Sequence, residues 1–190
     1  MDRRKTVIVI NGKGGVGKDT LIDSLIKNRS YSFVNYSSID CIKEIARGSG
    51  YWDDDKTDAG RAFLHDLKMA YTKYCNLPHI RSLMAVSQLI NREDTDFMFV
   101  HIREPEEIDK FVKAVRCKFP DVYITTLLVV RSDYTPGWEN DADNDTILDY
   151  KYDHVFDNSS SNVLNLIDVE QAFANFIDQV LDDADKKQTE

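Results

Sequence analysis

Residues 12–18 read Gly-Lys-Gly-Gly-Val-Gly-Lys, a G-x-x-x-x-G-K string set between two segments of opposite periodicity. Before it stands Thr6-Val7-Ile8-Val9-Ile10, a β-branched apolar run of the kind that is buried on both faces of a parallel sheet. After it, Leu21, Ile22, Leu25 and Ile26 recur at helical spacing over 18–27. Strand, glycine-rich loop and helix in that order are the context in which this spacing binds phosphate. The glycines let the backbone curl so that several N–H groups point at one anion. The helix N-terminus adds a favourable dipole, and Lys18 adds a point charge for the outer phosphates. Gly12, Lys13, Gly14, Gly15, Val16, Gly17, Lys18, Asp19 and Thr20 are therefore expected to hold the phosphates of a nucleotide. A plain glycine-rich turn requires neither the lysine nor both flanks.

The rest of the chain alternates in the same way. Strands are expected at 31–36, 96–102, 123–130 and 152–156, and helices near 40–47, 56–75, 81–91 and 106–118. A last helix over 162–181 puts Val163, Leu166, Ile167, Phe173, Phe176, Ile177 and Val180 on one face. Strands alternating with helices predict an α/β domain with a mainly parallel sheet of five strands flanked by helices, and right-handed crossovers. Residues 1–181 are expected to be a single domain, and 182–190 a charged, frayed tail. Ligands of such sheets sit at the carboxyl ends of the strands, which is where the glycine loop lies.

With 24 Lys plus Arg against 33 Asp plus Glu, the chain carries a formal charge of −9. That balance argues against nucleic acid and membrane surfaces as partners and leaves small-molecule nucleotides. Cys41, Cys75 and Cys117 form no metal-ligand spacing with one another or with the four histidines, and read as reduced thiols. The apolar run before Asn11 is too short for a signal peptide, and no stretch approaches a membrane helix, so a cytoplasmic protein is expected. Oligomeric state is not fixed by any of these features.

Two families resemble parts of this sequence. Lys-Gly-Gly-Val-Gly-Lys-Asp-Thr at 13–20 resembles the loop of the MinD/ParA-type switch ATPases, extra lysine included, but the likeness ends with those eight residues. Its Gly-Lys-Asp-Thr ending resembles the deoxynucleoside monophosphate kinases, a branch of the adenylate-kinase-like P-loop kinases, and here the likeness continues. Asp40, Lys43 and Ala46 resemble that family's D-x-x-K-x-x-A segment, and Lys56, Asp58, Arg61 and Leu64 its K-x-D-x-x-R-x-x-L stretch. Arg103, Pro105 and Glu107 follow the third strand where the family has D-V-R-x-P-x-E. Glu139 to Asp143 and Tyr152 to Asn158 resemble its N-E-A-D and Y-D-x-V-I-x-N segments.

This resemblance implies a three-layer P-loop kinase-like fold, with an acceptor-side helical region at about 40–92 and a lid-like loop at about 132–150. It implies ATP-dependent phosphoryl transfer to a nucleoside or deoxynucleoside monophosphate, or a similar small phosphorylated acceptor, with ATP and Mg2+ as cofactors. Lys18 would bridge towards the transferring group, Asp40 would orient the acceptor, and Arg131 would be the lid-associated arginine. Lys43, Arg61 and Arg103 would bind the acceptor, because a guanidinium fork suits phosphate oxygens. Asn158 falls where the donor base rests in such kinases, though beside Ser159 and Ser160 it also reads as a turn residue. Tyr51 and Trp52 suit either base stacking or core packing.

Three departures bear on mechanism. Asp19 stands where Ser or Thr usually offers magnesium a hydroxyl, with Thr20 one place later. Asp19 and Thr20 are candidate magnesium ligands, and a carboxylate that stabilises the first helical turn is the equal alternative for Asp19. His101 occupies the place where the third strand would end in a carboxylate, and neutral imidazole is the poorer magnesium ligand. Finally, no Lys or Arg lies between Arg131 and Lys151, whereas Asp133, Glu139, Asp141, Asp143, Asp145 and Asp149 do. These departures keep open a nucleotide-binding switch ATPase, or a non-catalytic remnant of the kinase fold.

Overall fold

The structure is a computed structural model that describes residues 3–28, 31–54, 57–133, 150–159 and 166–187. Strands β1 (Thr6–Asn11), β2 (Phe33–Ser37), β3 (Phe97–His101), β4 (Tyr123–Val130) and β5 (His154–Asp157) form one sheet, in the order β2-β3-β1-β4-β5. Every pairing is parallel. Helices α1 (Lys18–Asn28), α2 (Asp40–Gly48), α3 (Asp58–Cys75), α4 (Leu77–Ile90), α5 (Pro105–Lys118) and α6 (Leu166–Lys186) connect and cover the strands.

The expected α/β architecture is the observed one, and β1 shows why. All six of its residues are buried, and alternate side chains leave the strand on opposite faces. Ile8 and Ile10 pack with Leu21, Ile22 and Leu25 of α1 and with Phe173 and Ile177 of α6. Val7 and Val9 pack instead with Val86 and Leu89 of α4 and with Ile108, Phe111 and Val115 of α5. A strand covered on both sides has no solvent face, so its sequence is a continuous apolar run. Each fully buried aliphatic or aromatic side chain here contributes about 1.5–3 kcal/mol of transfer free energy.

A third, smaller cluster joins α2, α3 and α4 through Cys41, Ile42, Ala46 and Leu64, with Trp52, Leu67, Tyr71 and Leu77 against it. Trp52 thus sits in packing, under the Arg47 guanidinium at 5.7 Å, whereas Tyr51 is 98 % exposed. Asn76, left-handed at φ 54°, ends α3 and starts α4 at Leu77, earlier than the expected 81, with Pro78 in the first turn where its missing N–H costs nothing. The last helix also outruns its expected end at 181. Ala184 is fully buried, Asp185 accepts the Arg4 N–H at 2.9 Å, and α6 continues to Lys186. Residues 134–149 of the lid-like loop, 162–165 of the expected last helix and 188–190 of the tail lie outside the described residues.

Because the sheet is wholly parallel, the segments that follow the strands emerge along one edge. Those after β1 and β3 are neighbours there, and β1 lies where the strand order reverses, the usual crevice for a ligand.

Candidate active site

The phosphate loop is built from β1 outward. Asn11, the last strand residue, is 1 % exposed, and its carboxamide is fully engaged. Oδ1 accepts from the Gly12 N–H at 2.8 Å, while Nδ2 donates to the Arg103 carbonyl at 2.9 Å and to the Tyr152 hydroxyl at 2.7 Å. One side chain therefore joins the start of the loop to the segment after β3 and to the approach to β5. The chain then turns sharply. Gly12 has φ 148°, and a Cβ there would stand 2.4 Å from the Val129 carbonyl oxygen, so the loop begins pressed against β4. Gly17 has φ 88°, and its Cβ would meet Asn158 Nδ2 at 2.6 Å. Gly12 demands glycine for space as well as for backbone angle, and Gly17 for its backbone angle.

Between them Val16 is buried and anchors the loop to the core. Its carbonyl accepts from Asn158 Nδ2 at 2.7 Å, and the Asn158 N–H donates to the Val130 carbonyl at 2.8 Å. Asn158 thus braces the loop through its side chain and extends the sheet through its backbone. Next to it, Ser159 Oγ accepts from the Ser132 N–H at 2.7 Å and donates to Asp157 Oδ1, which ties the end of β4 to the end of β5. Arg131, at the end of β4, donates from Nε to Asp133 Oδ1 at 3.0 Å.

Lys18 opens α1 and curls back over the loop. Its ammonium donates to the Gly12 carbonyl at 2.5 Å and the Lys13 carbonyl at 2.9 Å. Burial, and then the Arg103 guanidinium, pull its pKa down to about 8, against the opposing pull of Asp19. Lys18 is thus a poorly solvated cation with a second cation, the exposed Arg103, acting against it, and a phosphate would relieve both that repulsion and the lost hydration of Lys18. Asp19 and Thr20 stand exposed in the first turn of α1. Their carboxylate and hydroxyl are hard oxygen donors, a set that suits magnesium, which keeps several waters and completes its shell with phosphate oxygens. Among the described residues no cluster of three or more His, Cys, Asp or Glu residues could hold a metal ion.

Across from the loop lies a second group. His101 ends β3 on the sheet face shared with α1, beside Asn35 of β2, whose Oδ1 is 2.7 Å from the imidazole Nε2. An amide oxygen only accepts, so this contact sets the tautomer with the proton on Nε2. Burial holds His101 below its ordinary pKa, Asp19 and Asp40 act in the opposite direction, and Lys18 and Lys43 reinforce the burial. The imidazole is therefore neutral at pH 7. Asp40 opens α2 with Oδ2 accepting from the Ser37 N–H at 2.9 Å and Oδ1 3.5 Å from Lys43 Nζ. Of the acidic neighbours of Arg103, Glu104 pairs with Lys68 and Glu107 with Lys110.

The cleft so formed brings together Lys18, Asp19, Asp40, Lys43, His101 and Arg103 from the ends of three neighbouring strands. Arg61 is different: its side chain is exposed in the first turn of α3, and among the described residues no hydrogen bond or ion pair ties it to the cleft. Asn11 and Asn35 were not singled out from sequence, and Tyr152 entered only as the first residue of a matched segment. A buried asparagine closing a wholly apolar strand was the available signal for the first, but its partners are 92 and 141 residues away and carry no local trace.

No family model matches the chain, and no curated protein matches it. Solved structures do. The tunicamycin resistance protein of Deinococcus radiodurans superposes with a TM-score of 0.55 over 93 % of this chain and 96 % of its own, at 12 % identity. A proposed kinase of Chloroflexus aurantiacus gives 0.51 over 93 % of this chain and 98 % of its own, at 11 % identity. The APS kinase of Mycobacterium tuberculosis aligns over 94 % of this chain and 98 % of its own at 14 % identity, with a TM-score of 0.45. The first two extend over nearly the whole of both chains, and at these identities the likeness is one of fold.

Proposed function

We propose that the protein is an ATP-dependent kinase that transfers a phosphoryl group to a nucleoside or deoxynucleoside monophosphate, or to a similar small phosphorylated acceptor. The observation that carries this reading is the two-sided cleft. A phosphate loop with its lysine lies on one side, and Asp40, Lys43, His101 and Arg103 face it from the ends of β2 and β3. A protein that only held ATP would need the first half alone.

Phosphoryl transfer asks for positioning and for neutralisation of charge spread over the transferring oxygens. The loop amides and Lys18 hold the donor phosphates, and Arg103, set against Lys18, draws the acceptor phosphate towards the transferring group. Asp40 is fixed by the Ser37 N–H and Lys43, which leaves it rigid enough to orient an acceptor from α2. Magnesium, when bound, supplies further charge neutralisation and would rest on Asp19, Thr20 and the phosphates. Arg131, paired with Asp133 at the end of β4, is the lid-side cation of this reading, and Asn158 keeps the loop in shape from behind. This reading takes small-molecule nucleotides as the partners and the cytoplasm as the setting. No helix of the described residues is long and apolar enough to cross a membrane.

The test is ADP release by purified protein with magnesium and ATP against a panel of ribo- and deoxynucleoside monophosphates, with Lys18→Ala as control. ADP formed only with particular acceptors, and lost in the variant, is the expected result. ATP binding without any acceptor-dependent ADP would favour the second reading, a nucleotide-binding switch, which rests on His101 standing where a carboxylate is wanted. In that case ATP would change the protein's mass in light scattering.

A further inference from the structure

The proposed kinase uses Lys18, Asp40 and Arg103 and gives His101 no task. The His101 side chain is half-buried at the end of β3. Its Nε2–H donates to Asn35 Oδ1 at 2.7 Å, so Nδ1 carries the lone pair. The two nitrogens of an imidazole diverge, and the lone pair is therefore directed away from the Asn35 contact. Strand order sets β2 on one side of β3 and β1, with its phosphate loop, on the other. Among the described residues Nδ1 has no hydrogen-bond partner and the ring enters no ion pair. The charges acting on it come from the two helices of the cleft: Lys18 and Asp19 of α1, and Asp40 and Lys43 of α2. Burial and the two lysines keep the imidazole neutral at pH 7, while the two carboxylates would stabilise an imidazolium once it formed. A neutral ring with an unpartnered lone pair and anions at hand for its charged state has what a general base needs.

The chemistry of the acceptor follows from that. A phosphate monoester has a second pKa of about 6, so at pH 7 it is mostly the dianion and attacks without giving up a proton. A hydroxyl keeps its proton until it attacks, and only this kind of nucleophile is served by a base. Asp40 is already engaged, with Oδ2 accepting from the Ser37 N–H at 2.9 Å and Oδ1 3.5 Å from Lys43 Nζ. Resting on the kinase reading, we propose that His101 is a catalytic base and that the acceptor is a phosphorylated alcohol, held by its phosphate at Arg103 and attacking through its hydroxyl. The hydroxyl oxygen bonds to the γ-phosphorus of ATP as the bond from that phosphorus to the β,γ-bridging oxygen breaks. The electron pair of the broken bond leaves with ADP, and the hydroxyl proton passes to Nδ1 and from there to solvent. The product carries a second phosphate monoester, where attack by the acceptor phosphate would give a pyrophosphate.

The test sets each nucleoside 5′-monophosphate beside its 2′,3′-dideoxy counterpart, which keeps the phosphate and lacks the sugar hydroxyls, and adds simple sugar phosphates to the panel. ADP release with a hydroxyl-bearing acceptor, none with the dideoxy compound, and a 31P spectrum of a bis-monoester product are expected. His101→Gln can still donate to Asn35 but cannot take the proton. It should lower kcat about a hundredfold or more while KM for ATP and acceptor changes less than about threefold, and the acid limb of kcat against pH should vanish. Equal ADP release with the dideoxy compound, or a pyrophosphate product, would overturn this inference and leave the kinase reading standing. ATP binding with no acceptor-dependent ADP would overturn both. A second measurement needs no turnover. In the full chain labelled with 15N-histidine, the signals lost in His101→Gln identify this ring, and they should show the proton on Nε2 and a bare Nδ1 at pH 7. A proton on Nδ1, or a charged ring, would overturn the assignment of His101 whatever the assay gives.

Discussion

Asn11→Ala is the most demanding perturbation of this architecture. The substitution deletes three hydrogen bonds at once and creates little void, because an asparagine side chain is small. What it leaves behind is the larger cost: the Gly12 N–H, the Arg103 carbonyl and the Tyr152 hydroxyl all lose a partner within 2.9 Å. A buried polar group left unsatisfied costs about 1–3 kcal/mol, and partial access of water to the Arg103 segment lowers that figure for one of the three. The expected loss is therefore about 3–5 kcal/mol, or roughly 10 °C in Tm for a chain of this length. Tyr152→Phe removes one of the same three bonds and is expected to cost only about 1–2 kcal/mol. The double variant should cost much less than the sum, since both act on one network. Urea denaturation of the four proteins measures these values, and an ATP titration should show at least a tenfold loss of affinity in Asn11→Ala, because the entry to the loop is released. A loss in Asn11→Ala under about 1 kcal/mol, or one no larger than that of Tyr152→Phe, would refute the claim that this carboxamide organises the site.

Further outcomes follow from the same geometry. Gly12→Ala sets a Cβ against the Val129 carbonyl at 2.4 Å, whereas nothing lies within 4 Å of one at Gly14. The first variant should lose about 2–4 kcal/mol by denaturation and the second less than about 1, so the pair separates crowding from mere loss of glycine. For Lys18 the folded pKa of about 8 lies below the ordinary lysine value of 10.5. The folded state therefore binds fewer protons than the unfolded state between these values, and wild-type stability gains with rising pH across that window. Lys18→Met lacks this gain, so the difference between variant and wild type should shift in favour of the wild type from pH 8 to 10.5, as read from urea midpoints; a pH-independent difference would contradict the depressed pKa. Asn158→Ala removes the bond to the Val16 carbonyl and should weaken ATP binding about tenfold by calorimetry at a stability cost of about 1–2 kcal/mol. If affinity is unchanged, the brace is not what shapes the loop.

How far the sequence could be read depended on the distance over which each feature is determined. The phosphate loop is local: glycine spacing, one lysine and two flanking periodicities all fall within 6–27, and the structure puts strand, loop and helix there. The alternation of strands and helices is nearly as local, which is why the parallel sheet was legible. Element ends were less so. Residues 31–32 read as strand, but Tyr31 turns its hydroxyl to Asp178 of α6, and pairing with β3 begins only at Phe33. The charges of 182–186 read as frayed, but Ala184 and Asp185 are held by packing and by Arg4, which no local pattern records.

Within the site the same distinction separates charges that the sheet brings together from one carried on a helix outside it. Asp40, Lys43 and Arg103 meet Lys18 and His101 because the order β2-β3-β1 sets three strand ends side by side, and that order is a property of the sheet. Arg61 matches its motif equally well, but it projects from α3, an element packed on α2 and α4 and not part of the sheet edge. Asn158 shows the converse. By position it suited a donor base or a turn, and the structure adds a bond from its amide to the Val16 carbonyl, 142 residues away. The two asparagines, Asn11 in front of the loop and Asn158 behind it, hold a backbone whose glycines leave it few side-chain contacts of its own. A glycine loop is permissive by composition, and a phosphate site must be preorganised to act. The rigidity therefore has to come from residues that the motif does not contain, which is why the motif could be recognised and its supports could not.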